Sequence, residues 1–245
     1  MPSFTDLDRR TVLDIQDRMR PSLAQATTLE DAAQVLVAAL CSEFPTGIVL
    51  ARTFITLPFA RLPEDLRRAA WACVEDQTLH SAVSPTTPVL TLLSTYGREA
   101  DWCDRRRSRG HAAIPLSSRS FVDSIPMVAR MLHEMGIDLG LDTGGDPYVQ
   151  RLLGAGWIGL FHVDDARTAR DDQGRRIIPS HDFVEAYGVR SVFGLGKAYG
   201  NGSIASVVVF ATSVLPRATV EALVPIVNQF KAQTIDLMSR GAIFR

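Results

Sequence analysis

The sequence predicts an α+β fold: a central antiparallel sheet of about six strands with helices packed on it. Three observations predict it. Helical and strand-like segments alternate without a repeated strand–helix–strand unit, which disfavours a doubly wound parallel sheet. Two apolar strand runs late in the chain are joined by Gly200-Asn201-Gly202, a turn that closes a β-hairpin. Helical patterns stand at both ends.

The elements follow in order. Val12, Ile15 and Met19 fall on one helical face, giving a helix over 6–20 that Pro21 should stop. Thr28 followed by Asp31 is a capping box ahead of the apolar residues Ala33, Val35, Leu36, Ala39 and Leu40. Residues 47–59 are rich in β-branched and aromatic side chains and read as a long strand. Pro63, Glu64 and Asp65 open a helix, with Pro in the first turn and acids at its positive end. Residues 89–96 form the next strand, and 111–116 a short one. Ile125, Val128, Met131 and Leu132 align on a helix over 121–135, and the glycine-rich stretch 136–156 reads mostly as loop.

Residues 157–163 (WIGLFHV) read as a strand and 164–174 as a charged loop. Ser180 caps a short helix over 181–187 that Gly188 ends. Strands over 189–199 and 204–212 flank the hairpin turn. A final helix spans 216–239, kinked by Pro225.

The chain has 245 residues, 46% of them hydrophobic and 22% charged, which suits a large single domain with its own core. Residues 1–27 read as a helical extension and 28–245 as the domain, with an enlarged middle segment over about 97–156. The net charge of −1 gives no global reason to expect nucleic acid or an anionic membrane as partner. Three scattered cysteines, Cys41, Cys73 and Cys103, make neither a disulfide framework nor a zinc knuckle. No secretory signal or bilayer-length apolar run is seen, so the expected compartment is the cytoplasm.

The segment 183–230 resembles the closing half of a GAF domain: a short helix, Val189-Arg190-Ser191, a strand, a glycine turn, an apolar strand and a long helix. The opening, a helix with Leu29, Val35 and Leu36 ahead of Gly47 and a strand, is similar to the family too. The resemblance implies a six-stranded antiparallel sheet of the PAS/profilin-like kind, a small-molecule pocket on one face, and roles in signalling and dimerisation. No output module follows in the sequence, so signalling would run through a homodimer or a separate output protein.

Trp102, Arg105, Arg106 and His111 belong to the densest polar cluster, 97–111. Guanidinium forks fit carboxylates and phosphates, and an indole offers a stacking face. The competing reading is a solvated loop whose arginines pair with Glu99 and Asp101. A ligand between the sheet and residues 96–121 would touch these four, with Phe161, His162 and Phe193 lining the pocket. Its identity, and that of any cofactor, is not encoded in a recognisable motif. His162, Asp164, His181 and Asp182 could ligate a metal, but their spacing matches no tight motif. His80 and His133 have less company still. Gly194, Gly196 and Gly200 miss the dinucleotide fingerprint in context; they suit a bend or a close approach. No serine-hydrolase elbow occurs. Two further readings stay open. Cys103, beside Arg105 and Arg106, could serve a thiol-dependent redox enzyme on this fold. Alternatively, the chain is a purely structural module that dimerises through its terminal helices.

Overall fold

The computed structural model describes residues 4, 7–74, 83–137 and 158–245. Six strands form one sheet: β1 (Ile48–Pro58), β2 (Pro88–Gly97), β3 (Ala113–Pro115), β4 (Ile158–Val163), β5 (Ser191–Ala198) and β6 (Ile204–Ala211). Their order is β3-β2-β1-β6-β5-β4, and every pairing is antiparallel. The α+β antiparallel sheet expected from sequence is therefore present. The strand order, which the sequence left open in the middle third, places β1 and β6 at the centre.

Both faces of the sheet are covered. On the first lie α1 (Arg9–Gln25), α2 (Leu29–Glu43) and α8 (Val224–Ser239). Ile15, Leu36 and Phe230 pack there against Ala51, Phe193 and Val207. On the second lie α4 (Arg119–Asp123), α5 (Pro126–Glu134) and α6 (His181–Ala186), where Phe121, Leu132 and Val184 meet Phe54, Phe161 and Val208. This is why β5 and β6 read as continuous apolar runs: each of their residues is buried, leaving no side for polar alternation. Two more helices, α3 (Glu64–Cys73) and α7 (Arg217–Glu221), complete the described set.

Prolines act differently from expectation at three places. Pro21 lies inside α1, which runs on to Gln25. Leu23, buried in the first core, holds the last turn against the lost N–H of Pro21. The helix expected over 121–135 is two helices, because Pro126 forces Ile125 out of helical geometry and then starts α5 from its first turn. Likewise, Pro225 does not kink one long helix; it sits in the first turn of α8, and α7 ends before it. Ile235, on α8, is half exposed. Ser180 precedes α6 but makes no side-chain cap bond.

A helix start and a strand edge are closed by groups from elsewhere in the chain. The first N–H groups of α2 would lack partners. Leu29 N and Glu30 N donate to the carbonyls of Ala242 and Ile243, both at 2.8 Å. At the outer edge of β4, His162 pairs with Phe193 and turns its own N–H and C=O outwards. Its N–H donates to Glu134 Oε2 at 2.8 Å, and its carbonyl accepts from Arg130 Nη2 at 3.0 Å. An open strand edge invites another chain, and this ion pair blocks it. His80, and the loop expected over 138–156, lie outside the described residues.

The capping box of α2 is complete, with Thr28 Oγ1 accepting from Asp31 N and Asp31 accepting from Thr28 N. Burial alone would raise the Asp31 carboxyl, but hydrogen bonds from Thr28, Thr27 and Arg245 outweigh it and hold it at about 2. A depressed carboxyl adds stability above its unfolded value and loses it as pH falls through the folded one. Asp31→Asn should therefore lower stability at neutral pH. The gap to the parent should close as pH falls from 3.8 towards about 2, read by urea unfolding at a series of pH values.

Candidate functional site

The second face of the sheet mixes apolar and polar side chains. Its floor alternates along β1 as Leu50, Arg52 and Phe54. Register sets Gly97, Thr95 and Leu92 of β2 beside these three, and Phe210, Val208 and Ser206 of β6 on the other side. Cross-strand partners share a face, so Thr95 stands next to Arg52.

Over β5 the floor is already filled. Gly194 and Gly196 leave room for Met135: an added Cβ would lie 3.2 Å from the Met135 Cε at the first and 3.3 Å from its sulfur at the second. The close approach expected of these glycines is thus made by a flexible, unbranched side chain. Phe161 packs on this same face, fully buried.

Over β1 and β2 the floor meets residues 97–112. Arg52 Nη2 donates to the His111 carbonyl at 3.3 Å, and Cys73 Sγ lies 3.6 Å from His111 Nδ1. Packing around the ring, and then the Arg52 charge, push the His111 imidazole below its usual range. Trp102 closes one end. It sits at 4.8 Å from Tyr187 and 5.6 Å from Phe183, and Phe183 lies edge-on to Phe210 at 5.4 Å. A Cβ on Gly97 would strike the indole at 2.8 Å, so a glycine there lets Trp102 lie against the strand.

The arginines of this segment are occupied. Arg105 is buried, with Nη1 bonded to Asp65 at 3.1 Å and Nε 3.0 Å from Glu30 Oε1 without hydrogen-bond alignment. Its guanidinium also lies over the Phe244 ring. Arg106 Nη1 donates to the same Glu30 oxygen at 3.0 Å, and Arg245 N donates to the other at 3.1 Å. Arg107 pairs with Asp101, one of the acids the sequence offered. Glu99 instead accepts from the Tyr187 hydroxyl at 3.1 Å.

The seven residues singled out in the sequence thus do not form one cluster. Trp102, His111 and Phe161 face the second layer or its rim. Arg105 and Arg106 converge on Glu30. His162 and Phe193 are cross-strand partners on the first face, where Phe193 meets Phe4 edge-on. His162 Nδ1 lies 3.0 Å from Asp164, and His181 contacts Glu185 and Arg176. Among the described residues no three metal-ligating side chains gather. Cys41 is buried, which pushes its thiol up to about 12 and suppresses its nucleophilicity at neutral pH. Cys103 Sγ points at the carbonyls of Gly97 and Glu99, both at 3.6 Å. Elsewhere on the surface, an open cleft of about 990 Å³ between α5 and residues 170–177 is rimmed by paired charges: Arg130 with Glu134, and Arg175 with Asp171.

Sequence reasoning missed Arg52 and Thr95. The available signal was one arginine inside the strand run IVLARTFITLP, at a position that alternates with Leu50 and Phe54.

This antiparallel sheet with its helices matches solved domains along nearly the whole chain. The GAF domain of a phosphoenolpyruvate-protein phosphotransferase from Coxiella burnetii is 12% identical, with a TM-score of 0.52 over 97% of this chain and 100% of the other. The chain has the GAF fold. Two other GAF domains align at a TM-score of 0.47 and 14% identity. One is from an Acinetobacter phosphoenolpyruvate-protein phosphotransferase, covering 95% of this chain and 98% of that one. The other is the phycoerythrobilin-bound domain of a cyanobacterial phytochrome, covering 96% and 98%. No protein-family model and no curated protein matches the sequence. Among the described residues, no helix of this GAF fold is long and apolar enough to cross a membrane.

Glu30 and Arg106 separate by burial. Removing a partner from a buried ion pair costs about 3–5 kcal/mol, so Glu30→Ala should be severely destabilising by urea unfolding. Arg106→Ala, at a half-exposed guanidinium, should cost less than about 1 kcal/mol. Gly194→Ala should cost about 1–3 kcal/mol by overpacking. Combined with Met135→Ala, it should lose less than the sum of the two single losses in a double-mutant cycle.

Proposed function

We propose that the chain is a non-catalytic, small-molecule-binding sensor domain of GAF type, with its ligand between the sheet and residues 96–121. The observation that carries this reading is a patch of polar side chains, buried Thr95, half-buried Arg52 and Cys73 and exposed His111, at the rim of an otherwise apolar layer. Binding sites are mostly apolar with a few convergent polar groups, and this patch has that composition. Trp102 and its aromatic neighbours supply an apolar wall beside it. The Arg105–Arg106–Glu30 network braces the same segment from its far side, so these two arginines position the wall and leave ligand contact to others.

The redox alternative has less support. It needs an accessible thiolate with a resolving partner, whereas Cys41 is held protonated and Cys103 faces backbone carbonyls. Dimerisation is a separate reading, favoured by Leu13 on α1 and Ile235 on α8, each 49% exposed.

Native mass spectrometry of the purified chain, with a denatured control, tests the proposal. A mass retained under native conditions and lost on denaturation is the expected result. A bare protein that stays bare after challenge with a metabolite extract would overturn it. The same spectrum reads assembly: a dimer in the parent that Ile235→Glu converts to monomer is expected for the helix-face contact.

A further inference from the structure

We propose that Arg52 and Thr95 form a subsite for the carboxylate of a small organic ligand. The inference rests on the ligand-binding reading above and names the chemistry of its site.

Arg52 is the anomaly of the second layer. Its guanidinium stem runs over the Phe54 ring at 5.4 Å, its Nε is shielded from solvent, and its outer edge reaches the surface near His111. Among the described residues it has no carboxylate partner, and its one hydrogen bond is the 3.3 Å contact to the His111 carbonyl. Nε is left unbonded. An arginine whose Nε is shielded and unbonded and whose charge meets no carboxylate is costly, because desolvated charge is compensated only by an opposite charge or by full hydrogen bonding. Burial accordingly holds the guanidinium down at about 10. Arg105 shows the usual solution in the same molecule, with Glu30 and Asp65 against it.

A second observation lies beside it. Thr95 is fully buried, and its hydroxyl has no protein partner. The β1–β2 register makes it the direct cross-strand partner of Arg52, on the same face. Two shielded donors without acceptors, one strand apart, describe a missing acceptor. Gly110 lies beside the guanidinium in the left-handed region, φ +99°, its Cβ position 3.6 Å from Arg52 Nη1, so a side chain is disfavoured there by backbone conformation. The site offers one cation and one hydroxyl. That balances one negative charge, as a carboxylate carries, and leaves a phosphate dianion under-neutralised. The apolar surroundings, Leu50 and Phe54, suit a ligand whose remainder is apolar.

The test uses the full chain, with benzoate as a model carboxylate, benzyl alcohol as its neutral counterpart and inorganic phosphate as the competing anion. Thermal unfolding and calorimetric titration are read for the parent, Arg52→Met and Thr95→Val. The expected result is a benzoate-dependent rise in Tm that benzyl alcohol and phosphate do not match. Arg52→Met should weaken benzoate at least about tenfold, the scale of a lost charge-assisted bond. Thr95→Val should weaken it several-fold. Without ligand, Arg52→Met should unfold at the same temperature as the parent or higher, since it removes an unpaired charge. An arginine with a purely structural role would show the reverse: a lower Tm with the benzoate response intact. That result, no response to benzoate in the parent, or an equal response to phosphate would overturn the carboxylate subsite. A neutral ligand retained in native mass spectra alongside any of these would leave the sensor reading standing.

Discussion

Burial of the sheet on both faces governs this molecule. Once helices cover each side, strands β5 and β6 have no solvent face, and their side chains are apolar or small at every position but Lys197. The outer edge of β4 then needs its own partner, which α5 supplies through Arg130 and Glu134. The first turn of α2 needs acceptors, which the chain supplies from Ala242 and Ile243. The two cores differ in what covers them. Long helices pack the first, whereas short helices and extended chain pack the second, where an unbranched side chain such as Met135 fills the gap over the glycines.

Against that background Arg52 and Arg105 form an informative contrast. Arg105 is buried and Arg52 partly so, with its Nε shielded. Arg105 meets two carboxylates and an aromatic ring, so its charge is neutralised inside the protein. Arg52 meets a peptide carbonyl and a ring. Folded proteins tolerate such an imbalance chiefly where function needs it, because interior charge without compensation lowers stability. The same chemistry therefore acts as structure at one position and as capacity for binding at the other.

Much of the fold was legible because its signals are local. The capping box at Thr28 and Asp31, the Gly200–Gly202 turn and the strand runs each declare themselves within a few residues. The prolines were harder to read. Whether Pro21, Pro126 or Pro225 ends, restarts or sits inside a helix depends on what the next turn buries, as Leu23 shows. The site was less legible than the fold. A run of arginines at 105–107 stands out in one dimension, yet its charges are consumed by Glu30, Asp65 and Asp101, two of them far away in sequence. Arg52 stands alone in its strand, and only the register with Thr95 gives it meaning. His162 and Phe193 were placed with Phe161, but alternation along β4 sends adjacent residues to opposite faces.

Glu30 joins parts of the chain that are widely separated in sequence: the start of α2, the 105–106 turn and the backbone at 245. Because one carboxylate serves two guanidiniums and a peptide N–H, the site cannot be rewired by exchanging partners. A surface bridge can be inverted by swapping its two charges. Here a cation at position 30 would confront whichever arginine remained and would still leave the N–H of Arg245 without an acceptor. Sequence drift at position 30 is thereby tied to position 105: the acid cannot be replaced while the buried guanidinium stays, and grafting this loop into another scaffold would require carrying that acid along with it.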